Sequence, residues 1–294
     1  MLLICGTVPL ENMPLIHGEV KFDGDDISID GKKIPSGQGS AALISASCLT
    51  NSHLNIAPPH AILAGDIGDG AGSRLLYEYL AKHLPAIAPN VLVMHYILPV
   101  MTLMKKVHAS INKSKQRPIT IADASSMYAA KAAGLANSFD LFTPDFAELA
   151  FLADPDATHP AYIRKHLFTT DDAHTPDLIH ASYAHKNASK ILLVKGKTDY
   201  IVEQGTIKAT ITEPNIPVLE AIGGTGDTIT GMAASFAYAG LGLAEASTIA
   251  ARANRMAGKY AKVTPATRIK EFVCLLPEVF HLGEWTNQKG VHND

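Results

Sequence analysis

The chain is poor in charge, in aromatic side chains and in cysteine. Charged residues fill 18% of its 294 positions and nearly cancel, with 25 Lys+Arg against 28 Asp+Glu and a formal net charge of −3. Surfaces that neutralise nucleic-acid phosphates or bind acidic lipid show a Lys/Arg excess, so neither partner is expected. Cys5, Cys48 and Cys274 form an odd, widely spaced set without C-x-x-C, which supports neither a disulfide framework nor a zinc cluster. A cytoplasmic location is the expectation. No apolar run approaches the ~18 residues of a membrane-spanning helix. The opening Met1–Cys5 run has no basic flank and soon meets Gly6 and Pro9, so it reads as a first strand rather than a signal-peptide core. The 13 histidines contain no H-E-x-x-H and are expected to be ordinary surface or core residues. Ser36, Ser40 and Ser47 lack a nucleophile elbow and Cys48 has no basic neighbour in its local sequence, so covalent nucleophilic catalysis is not expected.

What is present is apolar sequence, 47% of the chain, delivered in short runs. Runs at 61–64, 91–94, 119–122, 140–143 and 191–194 are short and largely apolar, as in strands covered on both faces of a parallel sheet. Helical stretches separate most of them: 41–49, 74–84, 127–136, and a helix to about Lys186 with Thr175 as cap and Pro176 in its first turn. That alternation is the α/β pattern. Residues 18–34 alternate around an Asp30-Gly31 turn and predict an N-terminal β-hairpin. Near the end, Ile229, Met232, Ala233, Phe236 and Ala237 share one helical face, Gly240 stops that helix, and another begins at about Leu243. A single domain over 1–294 is expected, with a frayed polar tail from about 283.

The segment richest in chemistry is Ala221-Ile-Gly-Gly-Thr-Gly-Asp227, at the start of that helix. Unpaired N–H groups at a helix start bind anions, and glycines let a phosphate reach the backbone. Asp227 is there either as an N-cap or as a general base that takes a proton from an attacking hydroxyl. Neither a Walker A loop nor a dinucleotide fingerprint fits the spacing. Lys195-Gly196, at a strand end, either places a cation near phosphates or merely turns the chain. Asp123 also follows a strand, where ligands gather in open α/β sheets, although a lone Asp there is often a cap. Asp145 and Glu148, three apart, put two carboxylates on one helical face, either as Mg²⁺ ligands or as a solvated helix start. The Pro35–Ser40 loop, with Gly39, is a flexible segment able to approach a ligand.

Gly223-Gly-Thr-Gly-Asp-Thr-Ile-Thr-Gly231 resembles the G-x-G-D signature of the ribokinase-like superfamily, and its double glycine is similar to the ADP- or ATP-dependent NAD(P)H-hydrate dehydratases. Four more segments follow that family's order: Ala64–Gly70, Ile121–Ser125, Thr143–Glu148 and Leu193–Thr198. The resemblance implies a three-layer α/β/α sandwich with a mostly parallel central sheet. It also implies Asp227 as catalytic base, an anion hole at Gly223, Gly224, Thr225 and Gly226, and nucleotide contacts from Lys195, Gly196 and Thr198. Substrate contacts are implied at Gly39, Asp66, Gly68 and Asp123, and Mg²⁺ at Asp145 and Glu148. ADP or ATP is the implied phosphoryl donor, and homo-oligomers occur among such enzymes.

The acceptor half departs from that pattern. Asp66 and Asp69 stand in what is a Gly-Pro-Gly-Leu-Gly loop in the dehydratases, Ser125 replaces the second Asp of Asp-Ala-Asp, and Tyr128 replaces an Asn. Carboxylates there would repel a dinucleotide's phosphates but accept hydrogen bonds from a neutral polyol. The expected function is therefore a nucleotide-dependent dehydratase of hydrated NADH or NADPH. The alternatives are an ATP-dependent kinase of a sugar, nucleoside or vitamin-like alcohol, and a non-catalytic nucleotide-binding module.

Overall fold

A computed structural model describes residues 1–157 and 174–283. In chain order the strands are β1 (Leu2–Val8), β2 (Ile16–Phe22), β3 (Asp26–Ile29), β4 (Lys32–Pro35), β5 (His60–Gly65), β6 (Val91–His95), β7 (Ile119–Asp123), β8 (Leu141–Phe142), β9 (Ile191–Val194), β10 (Asp199–Glu203) and β11 (Thr206–Ile211). They form one sheet in the order β11-β10-β9-β8-β7-β6-β1-β5-β2-β3-β4. The six strands from β9 to β5 pair parallel, and both edges are antiparallel. The apolar runs of the sequence are these central strands, which have no polar face because helices cover both sides.

One helical layer holds α1 (Ser40–His53), α7 (Thr225–Tyr238), α8 (Leu243–Tyr260), α9 (Ile269–Val273) and α10 (Leu276–Leu282). The other holds α2 (Ala71–Ile87), α3 (Met101–Lys113), α4 (Ser125–Ala132), α5 (Phe146–Ala153) and α6 (Thr175–Ala184). Successive side chains of a strand point to opposite faces, so β1 sends Leu2 and Ile4 into the first layer and Leu3 and Cys5 into the second. The result is the expected three-layer α/β/α sandwich. No helix among the described residues is long and apolar enough to cross a membrane.

Three local expectations change. The N-terminal hairpin is a three-stranded meander: β3 and β4 turn at Asp30-Gly31, and β2 joins the main sheet against β5. Thr175 is the first residue of α6 rather than its cap, a position taken by His174. The tail beyond 283 lies outside the described residues.

Helices α1 and α7 sit close together because their facing positions are small. A Cβ built on Gly231 would lie 2.2 Å from the Leu43 carbonyl oxygen, and that backbone cannot yield as a side-chain tip would. Ser47 Oγ donates to the Gly231 carbonyl across the same contact. Gly231→Ala is expected to force the helices apart and cost about 1–3 kcal/mol, in line with overpacked cores. Denaturant unfolding checks this, and a midpoint equal to that of the unmodified chain would contradict the close packing.

Candidate functional site

The C-terminal ends of the parallel strands converge on the start of α7, where open α/β sheets place their ligands. β6 ends in His95, β7 in Asp123, and Lys195 follows β9 directly. Register puts His95 beside Asp123 on neighbouring strands. Gly224 caps α7 with φ 103°, in the left-handed region that glycine tolerates, and so turns the chain sharply into the helix. A helix's first N–H groups have no intrahelical acceptor, so those of Gly226 and Asp227 open on a cavity of about 560 Å³. Gly223, Gly224, Thr225, Gly226, Asp227, Asp123, Lys195, Gly196, Asp145 and Glu148 all line it.

Asp227 is not the N-cap, a position held by Gly224. It lies in the first turn, where its Oδ2 accepts from the Gly39 N–H at 2.8 Å and its Oδ1 lies 3.1 Å from His95 Nε2. Asp123 is likewise no cap. Both its oxygens lie 3.0 Å from Lys195 Nζ, and Thr230 Oγ1 donates to Oδ2 at 2.6 Å. Burial opposes ionisation of Asp123, but Lys195, His95 and the Thr230 hydroxyl hold it below the usual carboxylate range. Burial likewise works against the Lys195 charge, yet Asp123, Glu148 and Asp227 raise its pKa. The pair is thus an ammonium and a carboxylate at neutral pH. His95, Asp123 and Asp227 place ligand atoms within 4.8 Å of one another. With Lys195 on Asp123 and a hydrogen bond between His95 and Asp227, the cluster is a proton and charge network rather than a metal site.

Asp145 and Glu148 do not share a helical turn. Asp145 is the extended N-cap of α5, and the two residues form a reciprocal capping box: Asp145 Oδ1 accepts from the Glu148 N–H and Glu148 Oε2 from the Asp145 N–H. Tyr128 OH donates to Glu148 Oε1 at 3.2 Å. Burial, then the Asp145 and Asp123 charges, push Glu148 up to about 8. Asp145 and Glu148 lie among six carboxyl residues that line the cavity, with Asp123, Asp199, Glu220 and Asp227, of which Asp123 and Asp199 are already paired with Lys195 and Arg255. The hard oxygens of Asp145 and Glu148 fit Mg²⁺.

A carboxyl raised in the folded state keeps a proton that the unfolded chain loses above its ordinary pKa of 4.5. In chelator, stability should therefore fall as pH rises from about 4.5 to about 8. Thermal unfolding across that range checks this. Glu148→Gln should flatten the slope, and Mg²⁺ should raise the midpoint more at the alkaline end. An equal slope in the variant would contradict the Glu148 assignment.

Other expected residues stand apart from the cavity. Asp66 and Gly68 do not line it. The Asp66 carboxylate is consumed locally, accepting from the N–H groups of Gly68, Gly70 and Ser73 and from Ser73 Oγ, which ties the 66–70 loop to the start of α2. Its carboxylate oxygens are therefore already hydrogen-bonded within its own loop and the helix that follows. Thr198 does not line the cavity either, whereas Lys197 and Asp199 do. Buried Arg255 bonds Asp199 at 2.7 Å and the Gly196 and Lys197 carbonyls, fixing this wall. Thr225 turns its hydroxyl back onto the Leu219 and Ile222 carbonyls, so only its backbone is offered to an anion.

His95 was not singled out from sequence; it is a buried core residue, within the expectation of surface or core positions for the histidines, and its Nε2 lies 3.1 Å from Asp227 Oδ1. The available signal was a polar residue ending an otherwise apolar strand.

A family model described as NAD(P)H-hydrate dehydratase matches residues 99–275. An uncharacterized protein of Methanocaldococcus jannaschii is 40% identical over 217 residues, covering 74% of this chain and 89% of its own. Among solved structures, pyridoxal kinase from Staphylococcus aureus with AMP-PCP and pyridoxal superposes with a TM-score of 0.55 at 12% identity, over 86% of each chain. A ribokinase-like superfamily protein of Enterococcus faecalis gives 0.52 at 14% identity, over 97% of this chain and 87% of its own. These two solved structures share the fold.

Proposed function

The chain belongs to the family described as NAD(P)H-hydrate dehydratase, and from that premise we propose that it is a nucleotide-dependent phosphoryl-transfer enzyme acting on hydrated NADH or NADPH. The observation that supports this reading is Asp227 beside an open helix start with a buried Lys195 behind it. Gly226 faces that lysine: a Cβ there would lie 3.5 Å from Nζ. The donor is ADP or ATP. Its phosphates would lie on the N–H groups of Gly224, Gly226 and Asp227, and its base against the apolar wall of Ile216, Leu219 and Ile222. Mg²⁺ held through Asp145 and Glu148 would neutralise phosphate charge.

The acceptor's ring hydroxyl sits against Asp227. Its O–H bond breaks toward the carboxylate, its oxygen bonds the terminal phosphorus, and the donor's P–O bond breaks. Helix-start N–H groups and the Lys195 ammonium stabilise the charge on the transferring group. Hydroxide is a poor leaving group, whereas the phosphate of the new ester departs with the electron pair of the ring C–O bond. Loss of a proton from the adjacent ring carbon then restores the dihydronicotinamide.

Incubation with hydrated NADH, Mg²⁺ and ADP or ATP should recover the dihydronicotinamide absorbance and release phosphate. No recovery with nucleotide bound would overturn the dehydratase reading. A second reading, a kinase of a small alcohol that stops at the ester, is favoured by Ser125 and Tyr128, which depart from the dehydratase pattern within the matched range.

A further inference from the structure

We propose that His95 is a positioning residue for Asp227, presenting an Nε2–H that holds the carboxylate in the orientation from which it takes the acceptor's proton. The inference rests on Asp227 being the base.

His95 is fully buried at the end of β6. Its Nε2 lies 3.1 Å from Asp227 Oδ1 and 3.8 Å from Asp123 Oδ2. A nitrogen lone pair aimed at two carboxylates would be repelled, so this nitrogen carries the hydrogen. In the neutral ring Nδ1 is then an acceptor, and Ser40 Oγ, 3.0 Å away, donates to it. Ser40 follows Gly39, whose N–H donates to the other Asp227 oxygen. One dipeptide at the start of α1 therefore holds the base from both sides, directly through Gly39 and through the imidazole from Ser40. With one donor fixed on each oxygen the carboxylate cannot rotate, and its remaining lone pairs are left for the cavity.

The next residue anchors the ring. Tyr96 adopts φ 53°, a left-handed conformation that is unfavourable for a bulky residue and persists only where the surroundings impose it. Thr7 Oγ1 donates to its carbonyl at 2.6 Å, and its ring meets His95 edge-on with centroids 4.5 Å apart. Gly39, Ser40, His95 and Tyr96 all lie before residue 99, outside the stretch matched by the family model. The support for the base is thus supplied by this chain's own N-terminal part.

Two measurements test this. Long-range ¹H–¹⁵N correlation on histidine-labelled protein, with His95 assigned through His95→Gln, should show the Nε2–H tautomer. The Nδ1–H tautomer would overturn the proposal whether or not any substrate is turned over. With hydrated NADH and nucleotide, His95→Ala should lower kcat about 10²-fold, the cost of a misplaced catalytic group, while the nucleotide KM stays within about twofold. His95→Gln, which returns an N–H near the Nε2 position, should recover at least about tenfold of that loss, and Ser40→Ala should lose about three- to tenfold. Unchanged kcat in His95→Ala, or a Gln variant as slow as Ala with nucleotide binding intact, would overturn it. If the unmodified chain turns over no hydrated NADH, it is the dehydratase reading that fails, and the tautomer still decides the role of His95.

Discussion

Asp227→Asn is expected to lower kcat by about 10²–10⁴-fold, the range that a positioned general base contributes, with nucleotide affinity changed by no more than a few-fold. The two effects separate because they come from different atoms. In the proposed reaction phosphate would be met by backbone N–H groups of the α7 start and by Lys195, none of which the substitution removes. The proton is met only by the Asp227 carboxylate. An amide cannot take that proton, and it also fits its surroundings poorly. Gly39 N–H faces one oxygen and His95 Nε2 the other. With both neighbours donating, an Asn must set its own NH₂ against one of them, leaving a donor unsatisfied at about 1–3 kcal/mol. Asp227→Ala removes that conflict and serves as the control. Calorimetric nucleotide binding beside steady-state turnover checks the prediction. A variant keeping a tenth or more of the turnover would remove Asp227 from the base role.

The sequence showed the fold's centre more clearly than its edges. Strands covered on both sides must be apolar throughout, so the β5, β6, β7 and β9 runs stand out from the helices between them. The β10–β11 hairpin was not separated, because on an antiparallel edge Thr206 and Lys208 face water beside Ile207 and the pattern weakens. Helix α3 was also passed over, although Met104, Val107 and Ile111 are its buried positions.

The site followed the same logic. Asp227, Lys195 and Glu148 were legible because each sits in a local segment whose spacing already suggests phosphate or metal chemistry. His95 was not, since its partner Asp227 lies 132 residues away and only the sheet register brings them together. Asp66 shows the converse case. A carboxylate in a glycine-rich loop reads as exposed charge, yet four donors within seven residues consume it. Side-chain type indicates what a residue can donate or accept, and the backbone decides which of those capacities is already spent.

Lys195→Met is expected to have the largest effect on stability, because it keeps the aliphatic stem and leaves a buried carboxylate without its counter-charge. Asp123 and Lys195 are both buried, and Thr230 and the Ala124 N–H complete the Asp123 contacts. Breaking one side of such a pair costs about 3–5 kcal/mol, more than the intact pair contributes over an apolar replacement. Adding Asp123→Asn removes the stranded charge while keeping an acceptor for Thr230, so the double variant should regain most of the lost stability. It should not regain the nucleotide, because the ammonium beside Gly226 is still missing. Unfolding midpoints and nucleotide affinity of the single and double variants therefore report two separate functions of one lysine. Recovery of both in the double variant would reduce Lys195 to a partner of Asp123. Recovery of stability alone would assign its charge to the transferring phosphate.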